Sequence, residues 1–262
     1  MSDGHRVVLG DCLDPLTGLA SLPDKSVSHV ICDPPYEAEA HTLGRRGNGA
    51  GEVCVARPLT FDPITEEQRK ASAQQIGRVV RRWVAVFCQV EAAMLWRAAL
   101  EAAGLVYRRA GVWLKPNGAP QFTGDRPGMG YETIVFAHAP GRSAWNGGGR
   151  HAVWSEPIEK VVPAGGGSMP SAHPTQKPLD LMESLVRDFT DPGELICDPF
   201  SGSGTTGVAC KRLGRRFIGW EKSEPYWRIA QKRIDAAREQ LGIFDRPRAE
   251  KPRQLAIPQG DE

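Results

Sequence analysis

Short apolar runs that end in an acidic residue occur at two distant places in the chain. Residues 30–32 (Val-Ile-Cys) lead into Asp33, and residues 195–197 (Leu-Ile-Cys) lead into Asp198. Short apolar runs bounded by turn-forming residues are typical of buried strands. Further strands are predicted at 6–9, 83–88, 106–114, 131–137 and 216–220.

Helical patterns separate these strands. Helices are predicted at 13–22 (a short helix and turn), 66–82, 91–103, 179–189, 208–213 and 226–241. Thr65 is placed to cap the second of them, with acids in its first turn. Pro178 suits the first turn of the helix at 179–189, because its missing N–H costs nothing there. The order of strands, helices and Gly-rich turns predicts an α/β fold with a doubly wound sheet.

The stretch Asp33-Pro34-Pro35-Tyr36 forms a stiff corner after its strand. Neither proline can donate to a sheet ladder, so the strand must end here. The corner would hold one carboxylate, one free backbone carbonyl and one aromatic face close together. Ligands of open α/β sheets bind at this end of the strands, which makes the corner a candidate functional site.

The second corner is rich in Gly and Ser and reads DPFSGSGTT over residues 198–206. Glycines let the backbone approach a ligand, and the helix that follows offers unpaired N–H groups. Glu221 ends the next strand about 20 residues later, which is the arrangement used to hold a ribose. A GxGxxG pattern at 202–207 leaves a NAD site open, but Asp198 favours a cofactor that carries a positive amine.

Together with HPTQKP at 173–178, these two motifs resemble the β group of S-adenosylmethionine-dependent DNA amino-methyltransferases. The resemblance is close over roughly residues 5–36 and 173–235. It implies a Rossmann-like, seven-stranded methyltransferase sheet with one antiparallel strand, in which the catalytic half precedes the cofactor half. It also implies S-adenosyl-L-methionine as cofactor and double-stranded DNA as partner.

The resemblance implies roles for individual residues. The catalytic residues would be Asp33, Pro34, Pro35 and Tyr36. Asp11 would accept a hydrogen bond from the adenine amine of the cofactor, although an acid at such a position is also common as a turn or helix cap. The other cofactor-binding residues would be Cys12, His173, Thr175, Gln176, Lys177, Asp198, Pro199, Phe200, Ser201, Gly202, Ser203, Gly204, Thr205, Thr206, Glu221 and Lys222.

The first corner suits the methylation of an amine. An exocyclic base amine is a poor nucleophile, because its lone pair is delocalised into the ring. The Asp33 carboxylate and the Pro34 carbonyl can accept both amine hydrogens and localise that pair, and Tyr36 offers a stacking face for an extruded base. We expect N6 of adenine as the target, with N4 of cytosine as the close alternative. An RNA or protein amine, or a catalytically silent DNA-binding relative, is a more distant alternative.

Two irregular segments are candidates for DNA contact. The loop 37–63 is interpreted as a mobile lid or as a solvated insertion, and residues 139–172 as a short target-recognition segment or a linker. The basic residues predicted to contact DNA are Arg45, Arg46, Arg57, Lys115 and Arg126, each of which would otherwise be a solvated charge. One domain is predicted over 1–242, and the charged, Pro-rich stretch 243–262 is typical of a disordered tail.

Composition narrows the class of protein. Thirty-three basic and 31 acidic residues give a net charge of only +2, so a DNA-binding face must come from local clustering. Six cysteines without a C-x-x-C pair indicate free, buried thiols and no metal site. The chain contains no Pro-Cys pair, which cytosine C5 methylation requires, and no HExxH or P-loop motif.

The chain has no apolar run near the ~20 residues that cross a membrane, and no apolar signal segment at its start. We therefore expect a cytoplasmic protein of prokaryotic or phage origin. A homodimer and a restriction-enzyme partner are left open by the sequence.

Overall fold

The computed structural model describes residues 4–37, 62–118, 120, 124, 127–143, 145–159 and 176–239. Within them, eight strands form one sheet. The strands are β1 His5–Leu9, β2 His29–Cys32, β3 Trp83–Cys88, β4 Val106–Leu114, β5 Tyr131–His138, β6 Val153–Ser155, β7 Leu195–Asp198 and β8 Arg216–Glu221. The helices are α1 Glu66–Val79, α2 Ala93–Ala102, α3 Leu179–Phe189, α4 Thr205–Arg212 and α5 Glu224–Ala236, with short 3-10 helices at Leu19–Ser21 and Val90–Ala92.

The strand order is β1-β8-β7-β2-β3-β5-β4-β6. Neighbouring strands are parallel except around β5, which runs antiparallel to both β3 and β4. The predicted doubly wound sheet with one antiparallel strand is therefore confirmed. The predicted count of seven strands is too low by one, because β6 pairs in parallel with β4 as an eighth strand.

Strand β6 lies in the Gly-rich segment that gave no periodic signal. Its central residue, Trp154, is buried, and the indole N–H donates to Asp188 Oδ2 in α3 at 3.0 Å. The ring also packs near Phe136 of β5, with centroids 5.5 Å apart. A single anchoring aromatic holds this three-residue strand, so side-chain alternation could not reveal it.

Thr65 caps α1 as predicted, through a capping box in which Thr65 and Gln68 each bond the backbone N–H of the other. Over 13–22, where a short helix and turn are predicted, the structure has a turn followed by a 3-10 helix at Leu19–Ser21, and no α-helix forms. The carboxylate of Asp14 accepts hydrogen bonds from the backbone N–H groups of Leu16 and Thr17. These local bonds hold the backbone in a turn and compete with a regular helix.

Apolar side chains cover both faces of the sheet. One core cluster packs α1 and α2 against the first face, and a second packs α3, α4 and α5 against the other. Strands β2 and β7 are neighbours although far apart in sequence. The helix that follows β2, α1, packs on one face of the sheet, and the helix that follows β7, α4, packs on the other. This is a topological switch point, where ligands of α/β sheets bind. Asp33 directly follows β2 and Asp198 is the last residue of β7, so both lie at this switch point.

The five cysteines in the described part of the chain are buried and free, and Cys54 lies outside it. Among the described residues, none of the helices combines the length and the apolarity needed to cross a bilayer.

A polar network ties the amino ends of the strands, at the edge opposite the switch point. Glu194 accepts hydrogen bonds from His29 Nε2 at 2.7 Å, Arg82 Nη1 at 2.6 Å and the backbone N–H of Asp191 at 2.8 Å. Burial opposes the charge of Glu194, but these three donors outweigh it and lower the pKa of its carboxyl to about 2. The ionised form is therefore stabilised by folding.

Replacing Glu194 by glutamine should lower the free energy of unfolding by about 2 kcal/mol at pH 7. Because the folded-state pKa lies below the ordinary value of 4.5, this contribution is complete above that value and is lost as the pH falls towards 2. Chemical denaturation should therefore show a smaller difference between variant and wild type at about pH 3.5 than at pH 7. Glu101→Gln, in an exposed pair with Arg97, is the control and should change stability by no more than about 0.5 kcal/mol. Equal differences at both pH values would contradict this assignment.

Candidate active site

The two corners predicted from the sequence line one cavity of about 590 Å³. From the predicted catalytic and cofactor-binding sets, the cavity wall contains Asp11, Cys12, Asp33, Pro34, Pro35, Tyr36, Gln176, Lys177, Asp198, Pro199, Phe200, Ser201, Gly202, Ser203, Thr205, Thr206, Glu221 and Lys222. The predicted residues His173, Thr175, Arg45, Arg46, Arg57 and Arg126 lie outside the described residues. The structure thus brings the DPPY and SGSG segments together, while the role of each residue in binding stays a prediction.

Asp33 follows the last residue of β2 and lies in a cluster of charges. Its Oδ2 accepts a hydrogen bond from Lys177 Nζ at 2.6 Å. Its Oδ1 is buried and has no hydrogen-bond partner among the described residues. Burial raises the pKa of Asp33, and the nearby Glu132 adds to this, while Lys177 opposes it. One carboxylate oxygen is therefore held, and the other is left as an acceptor.

Tyr36 is fixed at both its hydroxyl and its ring. The hydroxyl donates to Glu132 Oε2 at 2.6 Å, and the Lys177 ammonium lies 5.3 Å from the ring centroid. Burial raises the pKa of Tyr36 well above its usual value, so the phenol stays neutral. The neutral ring can act as an apolar surface beside Asp33.

The Gly-rich turn leads directly into α4. Gly202 and Gly204 have left-handed backbones, with φ of 52° and 81°. A Cβ on Gly204 would lie 2.8 Å from the Cβ of Ala230 in α5, so this glycine permits close helix packing and does not line the cavity. Arg233 of α5 supports the turn by donating to the carbonyl oxygen and Oγ of Ser203, at 2.7 and 2.9 Å.

Asp198 is buried at the end of β7 beside this turn. Burial raises the pKa of Asp198 to about 7, although the Thr206 hydroxyl and the Phe200 N–H donate to its oxygens at 2.6 and 3.0 Å. The carboxyl therefore keeps its proton to a higher pH than an exposed aspartate does. A cation bound in the cavity would favour its ionised form.

Glu221 and Asp11 lie at the far end of the cavity from Asp33. Glu221 accepts from the N–H groups of Gly202 and Ser223, at 2.8 and 2.7 Å, and burial raises its pKa. Asp11 accepts a hydrogen bond from the N–H of Leu13 at 2.9 Å. This contact is the turn cap that the sequence offers as an alternative role for Asp11. Both carboxylates line the cavity as well, so their second predicted role, in holding a ligand, stays a prediction.

Gln176 and Lys177 belong to the HPTQKP motif at 173–178, called the KP segment below, and they contact different parts of the cavity. Gln176 accepts a hydrogen bond from the hydroxyl of Ser203 at 3.1 Å and donates to Glu159 at 2.8 Å. Lys177 instead contacts Asp33, at the other corner. The two neighbours thus connect the segment to both corners.

Sequence reasoning missed Glu132, which lines the cavity between Tyr36 and Lys177. It is the second residue of β5, and since that strand is antiparallel, its start lies at the same edge as the ends of β2 and β3. The sequence signal for its role was an acidic residue within the otherwise largely apolar strand 131–138. Lys115, predicted as a DNA contact, pairs with Glu132 at 2.6 Å and its side chain is 14% exposed. Its charge is therefore directed to this cluster, and a contact with DNA stays a prediction.

Another part of the cavity wall comes from α1 and the residues just before it, and was not predicted either. It contains Ile64, Gln68 and Ser72, and the Ser72 hydroxyl is buried without a hydrogen-bond partner among the described residues. The apolar spacing of α1 predicted the helix, but not which of its polar residues face a ligand.

Comparisons with known proteins identify the family. The family model for N6/N4 methyltransferases, described as DNA methylase, matches residues 27–232. The Type II methyltransferase M2.DpnII of Streptococcus pneumoniae is 30% identical over 246 residues, which cover 84% of this chain and 87% of the relative. The chain belongs to the N6/N4 DNA methylase family.

Solved structures agree with this assignment. The M1.HpyAVI–SAM complex is 26% identical, with a TM-score of 0.63, and the match covers 87% of this chain and 99% of that one. The cytosine-N4-specific PvuII DNA methyltransferase is 16% identical with a TM-score of 0.67, covering 89% of this chain and 87% of that one, and shows the fold alone.

S-adenosylmethionine is the methyl donor of this DNA methylase family, and the residues of the cavity fit it. The Ser201 hydroxyl is buried at the Gly turn with no hydrogen-bond partner among the described residues. Asp198 and Glu221 line the same cavity, and their carboxylates would suit a cationic amine and ribose hydroxyls. A hydroxyl without a partner, in a cavity wall that also contains these two acids, is what a polar ligand would satisfy.

The affinity for S-adenosylmethionine should rise between about pH 5.5 and pH 7. Asp198 loses its proton in this range, and its charged form attracts the cationic donor, with a slope of at most about tenfold per pH unit. Isothermal titration calorimetry at three pH values measures the slope. Asp198→Asn should flatten it, whereas Asp235→Asn, an exposed acid of α5, should leave it unchanged. A slope that persists in Asp198→Asn would assign the pH dependence to another group.

Proposed function

We propose that this DNA methylase transfers a methyl group from S-adenosylmethionine to the N6 amine of adenine within a specific sequence of double-stranded DNA. The observation that carries the proposal is the free, buried Oδ1 of Asp33 beside Tyr36, in the cavity that also contains the Gly turn. DPPY is the form that leans to adenine among the related motifs, and SPPY is the form that leans to cytosine. N4 of cytosine remains the second candidate, because the family model that matches this chain covers both N6 and N4 methyltransferases.

The residues of the first corner would hold the amine during transfer. Asp33 accepts one amine hydrogen and the Pro34 carbonyl accepts the other, which directs the nitrogen lone pair towards the donor. Tyr36 stacks on the base after it leaves the duplex, and this contact contributes about 1–3 kcal/mol. Positioning on a backbone stiffened by two prolines supplies a large part of the rate.

The residues of the second corner would hold the donor, which supplies a methyl group on a positively charged sulfur. Asp198 and Ser201 would face its amino-acid end, and Glu221 its ribose. Asp11 would accept from the adenine amine, as the family resemblance implies. These assignments place the donor between the Gly turn and the catalytic corner.

Sequencing with detection of modified bases tests the proposal. The gene is expressed in a bacterial host that lacks its own adenine methylation, and the genomic DNA is sequenced. We expect N6-methyladenine in one short motif, and none in cells that express Asp33→Ala. N4-methylcytosine in one motif would establish the second candidate instead. Unmodified DNA, with methyl transfer to RNA or protein in extracts, would contradict DNA as the substrate.

The binding partners and the cellular location of the protein stay predictions. Double-stranded DNA would contact the basic residues of 37–63, and the relatives named as Type II methyltransferases favour a place in a restriction-modification system. A homodimer and a cognate restriction enzyme stay open alternatives, and a cytoplasmic location stays a prediction.

A further inference from the structure

Charged groups from three elements form a cluster beside Asp33. Glu132 comes from the start of β5, Lys115 follows β4, and Lys177 precedes α3. The Lys177 side chain is 8% exposed and that of Glu132 is 15% exposed. Burying charges is costly unless they are paired and hydrogen-bonded, so the arrangement needs an explanation beyond stability.

All three ammonium hydrogens of Lys177 have acceptors. Its Nζ lies 2.6 Å from Asp33 Oδ2, 3.1 Å from Glu132 Oε2 and 3.4 Å from the hydroxyl oxygen of Tyr36. An ammonium group offers three donors and no acceptor. Lys177 therefore has no donor left for the carboxylate of a methyl donor unless one of these contacts breaks, and it belongs to the catalytic corner.

Glu132 holds three groups of the site in one geometry. Its Oε2 accepts from the Tyr36 hydroxyl at 2.6 Å and from Lys177 at 3.1 Å, and its Oε1 accepts from Lys115 at 2.6 Å. Tyr36 thus has a defined ring position, and Lys177 is directed at Asp33. Glu132 touches Asp33 only through Lys177.

The charges of the cluster balance. Asp33 and Glu132 contribute two negative charges, and Lys115 and Lys177 contribute two positive ones. During methyl transfer the amine nitrogen forms a bond to the methyl carbon, the carbon–sulfur pair returns to sulfur, and positive charge moves onto the amine. A neutral cluster tolerates that charge, whereas a cluster without the Glu132 carboxylate carries a net charge of about +1 and repels it.

We propose that Lys177 and Glu132 are positioning residues of the methyl-transfer reaction: Lys177 occupies one oxygen of Asp33 and leaves the other to accept the base amine, and Glu132 orients Lys177 and Tyr36. The proposal rests on the reaction of the family and does not depend on whether the base is adenine or cytosine. It goes beyond the family resemblance, which implied that the KP segment serves the donor.

The ionisation of Asp33 depends on several groups around it. Those that face it are Lys177, Glu132, Tyr36, Asp198, Cys32 and Cys88. Lys177 is the cation among them. Burial and Glu132 raise the pKa of Asp33, while Lys177 and, to a smaller extent, Tyr36 lower it, so removing the ammonium removes the largest opposing influence. Activity should then require a higher pH, because the amine needs the ionised carboxylate as its acceptor.

The test compares Lys177→Met and Glu132→Gln with wild type in kcat, KM for DNA and Kd for S-adenosylmethionine across pH 5.5–9. We expect Lys177→Met to lower kcat at pH 7 by about 10- to 100-fold and to move the acid limb of the kcat profile up by at least about one pH unit. The Kd of the donor should stay within about threefold. Glu132→Gln should lower kcat by about tenfold or more, with little change in the Kd of the donor.

Matched controls and a conservative variant complete the test. Lys70→Met and Glu66→Gln remove the same groups from an exposed pair on α1, and should leave kcat and the profile unchanged. Lys177→Arg keeps a cation, so it should retain the wild-type acid limb even if kcat falls, and it also serves if Lys177→Met does not fold. A tenfold weaker donor affinity with unchanged kcat at saturation would overturn the proposal. So would a lower kcat in Lys177→Met with an unshifted acid limb.

Discussion

Asp33→Ala is expected to lower the rate of methyl transfer at saturating donor by at least about a thousandfold. The variant loses the acceptor whose Oδ1 is free to bind the base amine, and Lys177 then faces the cavity without its closest anion. Donor affinity should stay within about threefold, because the Gly turn and Glu221 are unchanged. Transfer of labelled methyl groups to DNA and calorimetric titration of the donor measure the two quantities.

Asp235→Ala is the matched control for Asp33→Ala, since it removes an exposed carboxylate on α5 and should leave both quantities unchanged. If Asp33→Ala kept activity within about tenfold of wild type, the role assigned to this carboxylate would be wrong.

Glu221→Ala is expected to weaken the binding of S-adenosylmethionine by about 10- to 100-fold, which corresponds to the loss of one or two hydrogen bonds to a charged group. Glu221 is held in the cavity wall by the N–H groups of Gly202 and Ser223, so its orientation is fixed before the ligand arrives. The rate at saturating donor should fall much less than the affinity.

Glu224→Ala, three residues further along and exposed on α5, controls for the loss of charge near this end of the cavity. An unchanged dissociation constant in Glu221→Ala would remove this carboxylate from the donor site. A large fall in thermal stability instead would assign it to supporting the Gly turn.

The sequence predicted the two corners because each combines an apolar run with residues that must end a strand. Prolines after Asp33 and glycines after Asp198 have local conformational effects, and the parallel strands carry both to one edge of the sheet. Helices with capping residues, such as α1 after Thr65, were predicted for the same reason.

The sequence did not predict features that depend on contacts between distant elements. Glu132 reaches the site only because β5 is antiparallel to its neighbours. The residues of a strand do not by themselves determine its direction in the sheet. Strand β6 depends on the burial of one side chain, Trp154, against α3 and β5. The sequence predicts ligand contacts for Lys115 and Lys177, whereas the structure pairs both with Glu132.

The most direct test of the account is a crystal structure of the protein with S-adenosylmethionine bound. We predict that the donor lies between the Gly turn and Asp33, with its methyl group directed at the space beside Asp33 Oδ1 and Tyr36. A donor bound elsewhere, or with its methyl group turned away from Asp33, would contradict the claim that the two corners form one active site.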